Sequence, residues 1–234
     1  THEDPMQVVS GRPGKWKIHY EAPPSSSVPK EMSAFVDWFN DSSPAGSNPL
    51  PALTRAGIAH LYFVSIHPFE DGNGRIGRAL SEKALSQSLN QPALVALSHV
   101  IEGTKKEYYN QLEANQSGLA INPWLHYFSR TTLEAVNHSQ RLTAFLIKKT
   151  KLYDRIHGQI NARQAKVLDC MLKKGIEGWD GGMSAKKYMS ISGAPIATTT
   201  RDLKQLVELG VFTKTGKLKT TRYWIPFQNP DYES

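Results

Sequence analysis

The sequence predicts a mainly α-helical protein in two parts. The larger part is a helical bundle with one small β-hairpin. The smaller, C-terminal part has three helices and a two-stranded ribbon. Three observations carry this prediction. Apolar residues recur at spacings of three and four through most segments of the 234-residue chain. β-Type patterns are confined to two short places, near residues 8–20 and 211–225. The hydrophobic (39%) and charged (21%) fractions are those of a globular chain, long enough for one large domain or two small ones.

Taken in order, Trp16-Lys-Ile-His-Tyr20 alternates after the turn Gly11-Arg-Pro-Gly14, which predicts a small hairpin over residues 8–20. A loop at Pro23-Pro-Ser-Ser-Ser27 precedes a helix marked by Val28, Met32, Phe35, Val36 and Phe39. A Ser-, Gly- and Pro-rich loop, Asp41 to Pro51, leads to a second helix marked by Leu53, Gly57, Leu61 and Val64. A third helix is expected from about Asn73 to Asn90, another over Gly103 to Leu112, and a long one from Pro123 to about Arg155. The tail reads as helices around Ile160–Leu172, Ser184–Met189 and Pro195–Leu209, the last stopped by Gly210. Val211-Phe-Thr213 and Tyr223-Trp-Ile225 then flank a turn at Lys214-Thr-Gly-Lys217. Three helices followed by such a ribbon form the winged-helix pattern, a helix-turn-helix variant. The expected boundary lies near His157-Gly158, giving domains over residues 1–157 and 158–234.

Net charge is +7, a moderate basic bias compatible with phosphate-bearing partners. The single cysteine, Cys170, excludes a disulfide framework and reads as a small core residue. No segment approaches 18 consecutive apolar residues, so no membrane span is expected. The first residues do not resemble a signal peptide, and a reducing cytoplasm is the expected compartment. The start at Thr1 leaves room for a segment upstream.

The chemistry concentrates in His67-Pro-Phe-Glu-Asp-Gly-Asn-Gly-Arg-Ile-Gly-Arg78. Pro68 pushes His67 out of the α region, which ends the helix and presents the imidazole on a loop. Gly72-Asn-Gly74 lead into a helix whose first N–H groups lack internal partners, a ready cradle for an anion. Arg75 and Arg78 share a helix face beside it. Asp71 is placed to hold a Mg²⁺ that bridges two phosphates. His67, with a pKa near neutrality, suits the removal of a proton from an attacking hydroxyl. Together these describe in-line transfer to a nucleotide phosphorus. A P-loop is excluded, because no Gly-Lys-Ser/Thr follows at the required spacing.

This segment resembles the signature of the Fic family, His-x-Phe-x-Asp/Glu-Gly-Asn-Gly-Arg-x-x-Arg, at every fixed position. The resemblance extends over about residues 8–150, including the hairpin, Val28–Asn40 and Tyr108-Tyr-Asn-Gln-Leu112. It implies a Fic-type helical bundle in which residues 8–20 form a flap. It implies His67 as general base, Asp71 as Mg²⁺ ligand and Phe69 as the residue that packs inward and holds the loop. Gly72, Asn73 and Gly74 would cradle the α- and β-phosphates. Arg75 would clamp phosphate, with Arg78 nearer the γ-phosphate. Tyr108, Tyr109 and Gln116 would line the adenosine pocket, with Tyr108 open between that role and a core aromatic. Trp16, Lys17, Ile18 and His19 would dock the target by strand addition.

The implied activity is that of a nucleotidyltransferase, a protein adenylyltransferase moving AMP from ATP to a Ser, Thr or Tyr hydroxyl of a target protein. The intact glycine-arginine segment favours AMP transfer. Removal of AMP, and a DNA-binding regulator whose Fic domain senses nucleotide or modifies itself, stay open. Glu70 reads as solvated and His60 as structural. Ser98-His-Val-Ile-Glu-Gly103 matches the family's inhibitory pattern, Ser/Thr-x-x-x-Glu-Gly/Asn, but lies after the catalytic motif and reads as coincidental. The chain is therefore expected to be uninhibited, and an inhibitory segment outside it and a homodimer stay open. In the tail, Thr198, Arg201 and Lys204 on the candidate recognition helix, and Lys217 and Lys219 on the wing, are candidate DNA contacts; a protein-interaction module is the equal alternative.

Overall fold

The computed structural model describes residues 7–12, 14–116 and 120–228, and for 7–11 and 15–19 the backbone alone. It is mainly helical and falls into two compact units, Thr1–Ser139 and Gln140–Ser234.

In the first unit, β1 (Gln7–Arg12) and β2 (Lys15–Glu21) pair antiparallel, with Gly14 in the left-handed region at φ 83° where the chain reverses. The helices are α1 (Val28–Asp41), α2 (Ala52–Ile66), α3 (Asn73–Leu89), α4 (Leu97–Gly103), α5 (Lys105–Asn115) and the first part of α6 (Asn122–Ile156). Phe35 and Phe39 of α1 enter the core, and Phe35 meets Tyr62 edge-on at 5.3 Å. Val36 and Leu53, expected to mark apolar faces, are 47% and 41% exposed. Spacing alone gives such residues an apolar face but does not decide whether another element covers it.

Helix α2 is the centre of this unit. A Cβ on Gly57 would come within 3.0 Å of the Leu125 side chain, and Trp124 of α6 donates its indole N–H to the Gly57 carbonyl at 2.8 Å. Gly57 is therefore the close-approach point between α2 and α6. On the α3 side a Cβ on Gly77 would reach 3.0 Å from Val64. Arg55 is fully buried, yet its hydrogen-bond partners among the described residues are all neutral. Its guanidinium donates to the carbonyls of Phe39 (2.8 Å) and Ala84 (3.2 Å), to Gln87 (2.8 Å) and to Ser42 (3.3 Å). It thus joins α1, α2 and α3 and satisfies a carbonyl at the C-terminal end of α1, where a cation also suits the helix dipole.

The second unit contains the rest of α6, then α7 (Ala162–Leu172), α8 (Ala185–Ser192), α9 (Ile196–Glu208), and β3 (Thr213–Thr215) paired antiparallel with β4 (Arg222–Trp224). Asn161 caps α7 in a reciprocal box with Gln164, and Ser184 caps α8. Val167, Leu168, Met171, Tyr188, Leu203, Leu206, Phe212 and Ile225 build its core. Lys214 and Thr215, expected in the turn, belong to β3. The reversal falls later, and a short 3₁₀ turn, Leu218–Thr220, completes it. Cys170 is only partly buried.

The units divide at 139/140, inside α6, whereas the sequence boundary was drawn at 157/158. The reason is that one helix serves two cores. Trp124, Tyr127, Phe128 and Ala135 belong to the first, and Phe145, Leu152 and Ile156 to the second. Among the described residues, no helix is long and apolar enough to cross a membrane.

Candidate functional site

The turn from α2 into α3 builds the site. Helix α2 ends at Ile66, and His67, which the following proline keeps out of the right-handed helical region, takes a left-handed conformation (φ 51°, ψ 54°). A non-glycine residue in that region stores strain, so the surrounding contacts must hold it. Two do so from within the turn. The His67 backbone N–H donates to Phe63 O at 3.2 Å, and its Nδ1 lies 3.3 Å from Val64 O. With a proton on Nδ1 donated to that carbonyl, the lone pair sits on Nε2, the proton-accepting form. Half-burial lowers the imidazole pKa, with the Val64 contact opposing in part. The neutral base is therefore favoured at pH 7.

Gly72 is the N-cap of α3 at φ 92°, a conformation that favours glycine, and no side chain caps this helix start. The loop is pinned by Asn73, which is 3% exposed. Its side chain accepts from the Phe69 N–H at 3.1 Å and donates to the Phe69 carbonyl at 2.5 Å. These bonds do the holding expected of Phe69, whose ring is 48% exposed and meets Phe63 at 6.4 Å. The physical reason is that a side chain with both donor and acceptor locks a backbone amide more tightly than a half-exposed ring does. The Asn73 side chain is thereby committed to the loop, leaving its backbone for the cradle.

A cavity of about 190 Å³ opens on this turn. Its lining includes His67, Glu70, Asp71, Gly72, Asn73, Gly74 and Arg78 of this turn and α3, and Tyr108, Tyr109, Leu112, Glu113 and Gln116 of α5 and its C-cap. Phe69 and Arg75 are outside this lining. Arg75 instead pairs with Asp71 at 2.8 Å, both well exposed at the mouth. Arg78 lies along the first turn of α3, its Nη1 3.5 Å from where a Cβ on Gly74 would sit. Tyr108 is both core and wall. It is 4% exposed, its hydroxyl is 2.8 Å from Nε2 of the fully buried His60, and it would be 3.9 Å from a Gly74 Cβ. Tyr109 stands 48% exposed beside it.

Sequence reasoning did not single out Tyr20, Leu112 or Glu113. Tyr20, in β2, donates its hydroxyl to Ser65 O at 2.5 Å, two residues before His67, and lines the cavity. Nothing local signalled it. Leu112 and Glu113 were within reach, because Tyr109, Leu112, Glu113 and Gln116 follow the i, i+3, i+4, i+7 spacing of one helix face. For Trp16, Lys17, Ile18 and His19 the backbone pairing is described, and their side chains lie outside the described residues.

Among the described residues, no group of three or more His, Cys, Asp and Glu side chains could hold a metal ion. A lone exposed carboxylate such as Asp71 still fits Mg²⁺, which takes most of its ligands from substrate phosphates and water. In the second unit, Arg201, Lys217 and Lys219 are exposed, Thr198 is half-buried, and Lys204 lies 3.6 Å from Glu208.

Residues 2–85 match the model of the Fic/DOC family, so the chain carries a Fic/DOC domain there. Protein adenylyltransferase fic-1 of Caenorhabditis briggsae is 33% identical over 103 residues, covering 44% of this chain and 18% of that protein. Protein adenylyltransferase Fic of Nematostella vectensis is 27% identical over 137 residues, covering 58% and 30%. The chain thus spans less than a third of the length of these curated relatives. A solved structure, a Fic family protein from Desulfovibrio desulfuricans G20, aligns with a TM-score of 0.49 and 22% identity, covering 96% of this chain and 61% of that one.

Proposed function

We propose that this chain transfers AMP from ATP to a Ser, Thr or Tyr hydroxyl of a target protein. The observation that supports the reading is the single cavity that joins His67, the start of α3 and Arg78 to the α5 face ending at Gln116. The relatives' name, protein adenylyltransferase, makes ATP the first nucleotide to test. In this reading the triphosphate lies over the N–H groups of Asn73 and Gly74, where a helix start favours negative charge, beside the Gly72 N–H that donates to Asp71 at 2.6 Å. Arg78 meets its far end, and the base lies against Tyr109, Leu112 and Gln116. The target hydroxyl oxygen attacks the α-phosphorus, its proton passes to His67 Nε2, and pyrophosphate leaves as the new phosphodiester forms. Asp71 would hold Mg²⁺, which offsets phosphate charge when bound. Arg75, released from Asp71, is then available to the phosphates. The flap strand β2 stands ready to pair with an extended target segment.

The test incubates the purified chain and candidate target proteins with α-labelled ATP, CTP, GTP or UTP and Mg²⁺, with His67→Ala alongside. Label from ATP that falls by about 100-fold or more in His67→Ala supports the reading, the size expected for losing a general base. Label that survives His67→Ala overturns it. Release of AMP from an already modified protein, without transfer from ATP, would make the reaction AMP removal instead. We further read α7–α9 with the β3–β4 ribbon as a winged helix. Its exposed Arg201, Lys217 and Lys219 favour a duplex DNA partner, for which binding must weaken steeply with salt.

A further inference from the structure

Helix α4 lies outside the glycine-rich motif, and no role has been assigned to it. It is held firmly. Leu97, Val100 and Ile101 are buried in the first unit's core. The Ala96 N–H, just before the helix, donates to Ser139 Oγ at 3.0 Å, and the His99 ring stacks on His138 with centroids 3.9 Å apart. What this anchored helix presents outward is Ser98. Its hydroxyl accepts from Arg78 Nε at 2.9 Å, across twenty residues of sequence.

The geometry points to Ser98 as a positioning residue for Arg78, and so as part of the nucleotide site of the proposed reaction. An arginine offers five N–H donors in a planar fork. Spending the Nε–H on Ser98 fixes the plane and leaves the two terminal nitrogens to the cavity, with Nη1 beside Gly74. A competing partner is present. Glu82 is four residues along the same helix, close enough that the Arg78 charge lowers its carboxyl pKa against the larger opposing effect of burial. Arginine and glutamate at that spacing attract one another. Without the Ser98 hydroxyl, the guanidinium is free to turn toward Glu82 and away from the phosphates. The inference rests on the proposed function, and it assigns Ser98 to the end of the ligand that Arg78 meets, the terminal phosphates rather than the base.

The test measures binding of fluorescently tagged ATP and of tagged AMP, with Mg²⁺, to the full chain and to Ser98→Ala, Ser98→Thr, Arg78→Ala and the Ser98→Ala/Arg78→Ala double variant. The expected result is an ATP affinity about tenfold weaker in Ser98→Ala, the lower end for one hydrogen bond to a charged group. AMP affinity is unchanged, Ser98→Thr recovers most of the loss, and Ser98→Ala adds nothing once Arg78 is gone. Equal weakening for ATP and AMP, or a loss that persists beside Arg78→Ala, would make Ser98 merely structural and overturn the inference. So would unchanged ATP binding in Ser98→Ala. A wild-type chain that binds neither nucleotide overturns the proposed function and this inference with it, an outcome distinct from all of these.

Discussion

Two clusters of polar side chains, one in each unit, are used in opposite ways. In the second, Asp202 is 5% exposed and its carboxylate is saturated. It accepts from Tyr188 at 3.1 Å, from Asn161 at 3.2 Å and from Arg163 at 3.2 and 3.4 Å. In the first, His67 and Arg78 line a cavity with ring and terminal guanidinium nitrogens left over for something else, while Asp71 is held only by exposed contacts of its own turn, Arg75 and the Gly72 N–H. A saturated network ties α7, α8 and α9 together and has no capacity for a ligand. Polar groups that converge on a cavity with hydrogen-bonding capacity to spare are arranged for a guest. The difference separates architecture from a candidate site more sharply than charge or burial does.

Breaking the network should therefore cost stability, and breaking the site should cost activity alone. Asp202→Ala strands the Tyr188 hydroxyl and the Asn161 amide and leaves Arg163 unpaired. It should destabilise the second unit by about 3–4 kcal/mol, toward the lower end for a buried pair because Arg163 is partly solvated. Urea denaturation, followed by the fluorescence of tryptophans in that unit, measures it. His67→Ala, made alongside, should leave both unfolding transitions in place. Loss of stability in His67→Ala comparable to that in Asp202→Ala would erase the distinction.

How legible the two kinds of group were in the sequence follows from their range. The turn was legible because its causes are local: proline after His67 ends a helix, and glycine at 72 permits φ 92°. Most helix spans were legible from spacing, to within a few residues, but α4 (Leu97–Gly103) was not anticipated. What escaped depends on chain segments far apart. Arg55 draws its partners from α1 and α3, and Tyr20 reaches Ser65 from the flap. Asn73 looked like part of the cradle, since nothing in a motif tells that its side chain turns back to Phe69. The division inside α6 was hidden for the same reason: an unbroken helical pattern does not reveal that its two halves pack into different cores.

The boundary between the two classes can be sharpened at His60, a buried group that touches the cavity wall only through Tyr108. Burial lowers its pKa from 6.5 to about 4. The unfolded chain takes up the proton first as pH falls, so this contribution to stability is fully present above 6.5 and is lost progressively toward 4. Between pH 6.5 and 5 the first unit should lose about 2 kcal/mol to this one group. Thermal melts of the wild type and His60→Gln across that range check it, the variant being less stable at pH 7 but flatter with pH. An unchanged slope in His60→Gln would show that other groups govern the acid sensitivity.

The smallest effect is expected at Glu102, whose match to an inhibitory pattern reads as coincidental in the sequence. Ser98-x-x-x-Glu102-Gly103 has the spacing of an inhibitory segment, in which the glutamate would occupy the second arginine of the motif. In this structure that arginine, Arg78, is met by Ser98 instead, and Glu102 pairs with Lys105 at 2.8 Å, both side chains exposed. An exposed pair at i, i+3 contributes little, because solvent and salt screen it. Glu102→Gly should therefore change transfer activity by less than about twofold and shift stability by about 1 kcal/mol, mostly through glycine in a helix. Activation by an order of magnitude or more would mean that Glu102 leaves Lys105 for Arg78 in solution. The polar groups at the cavity would then be partly self-satisfied after all, and the contrast with the Asp202 network would be one of degree.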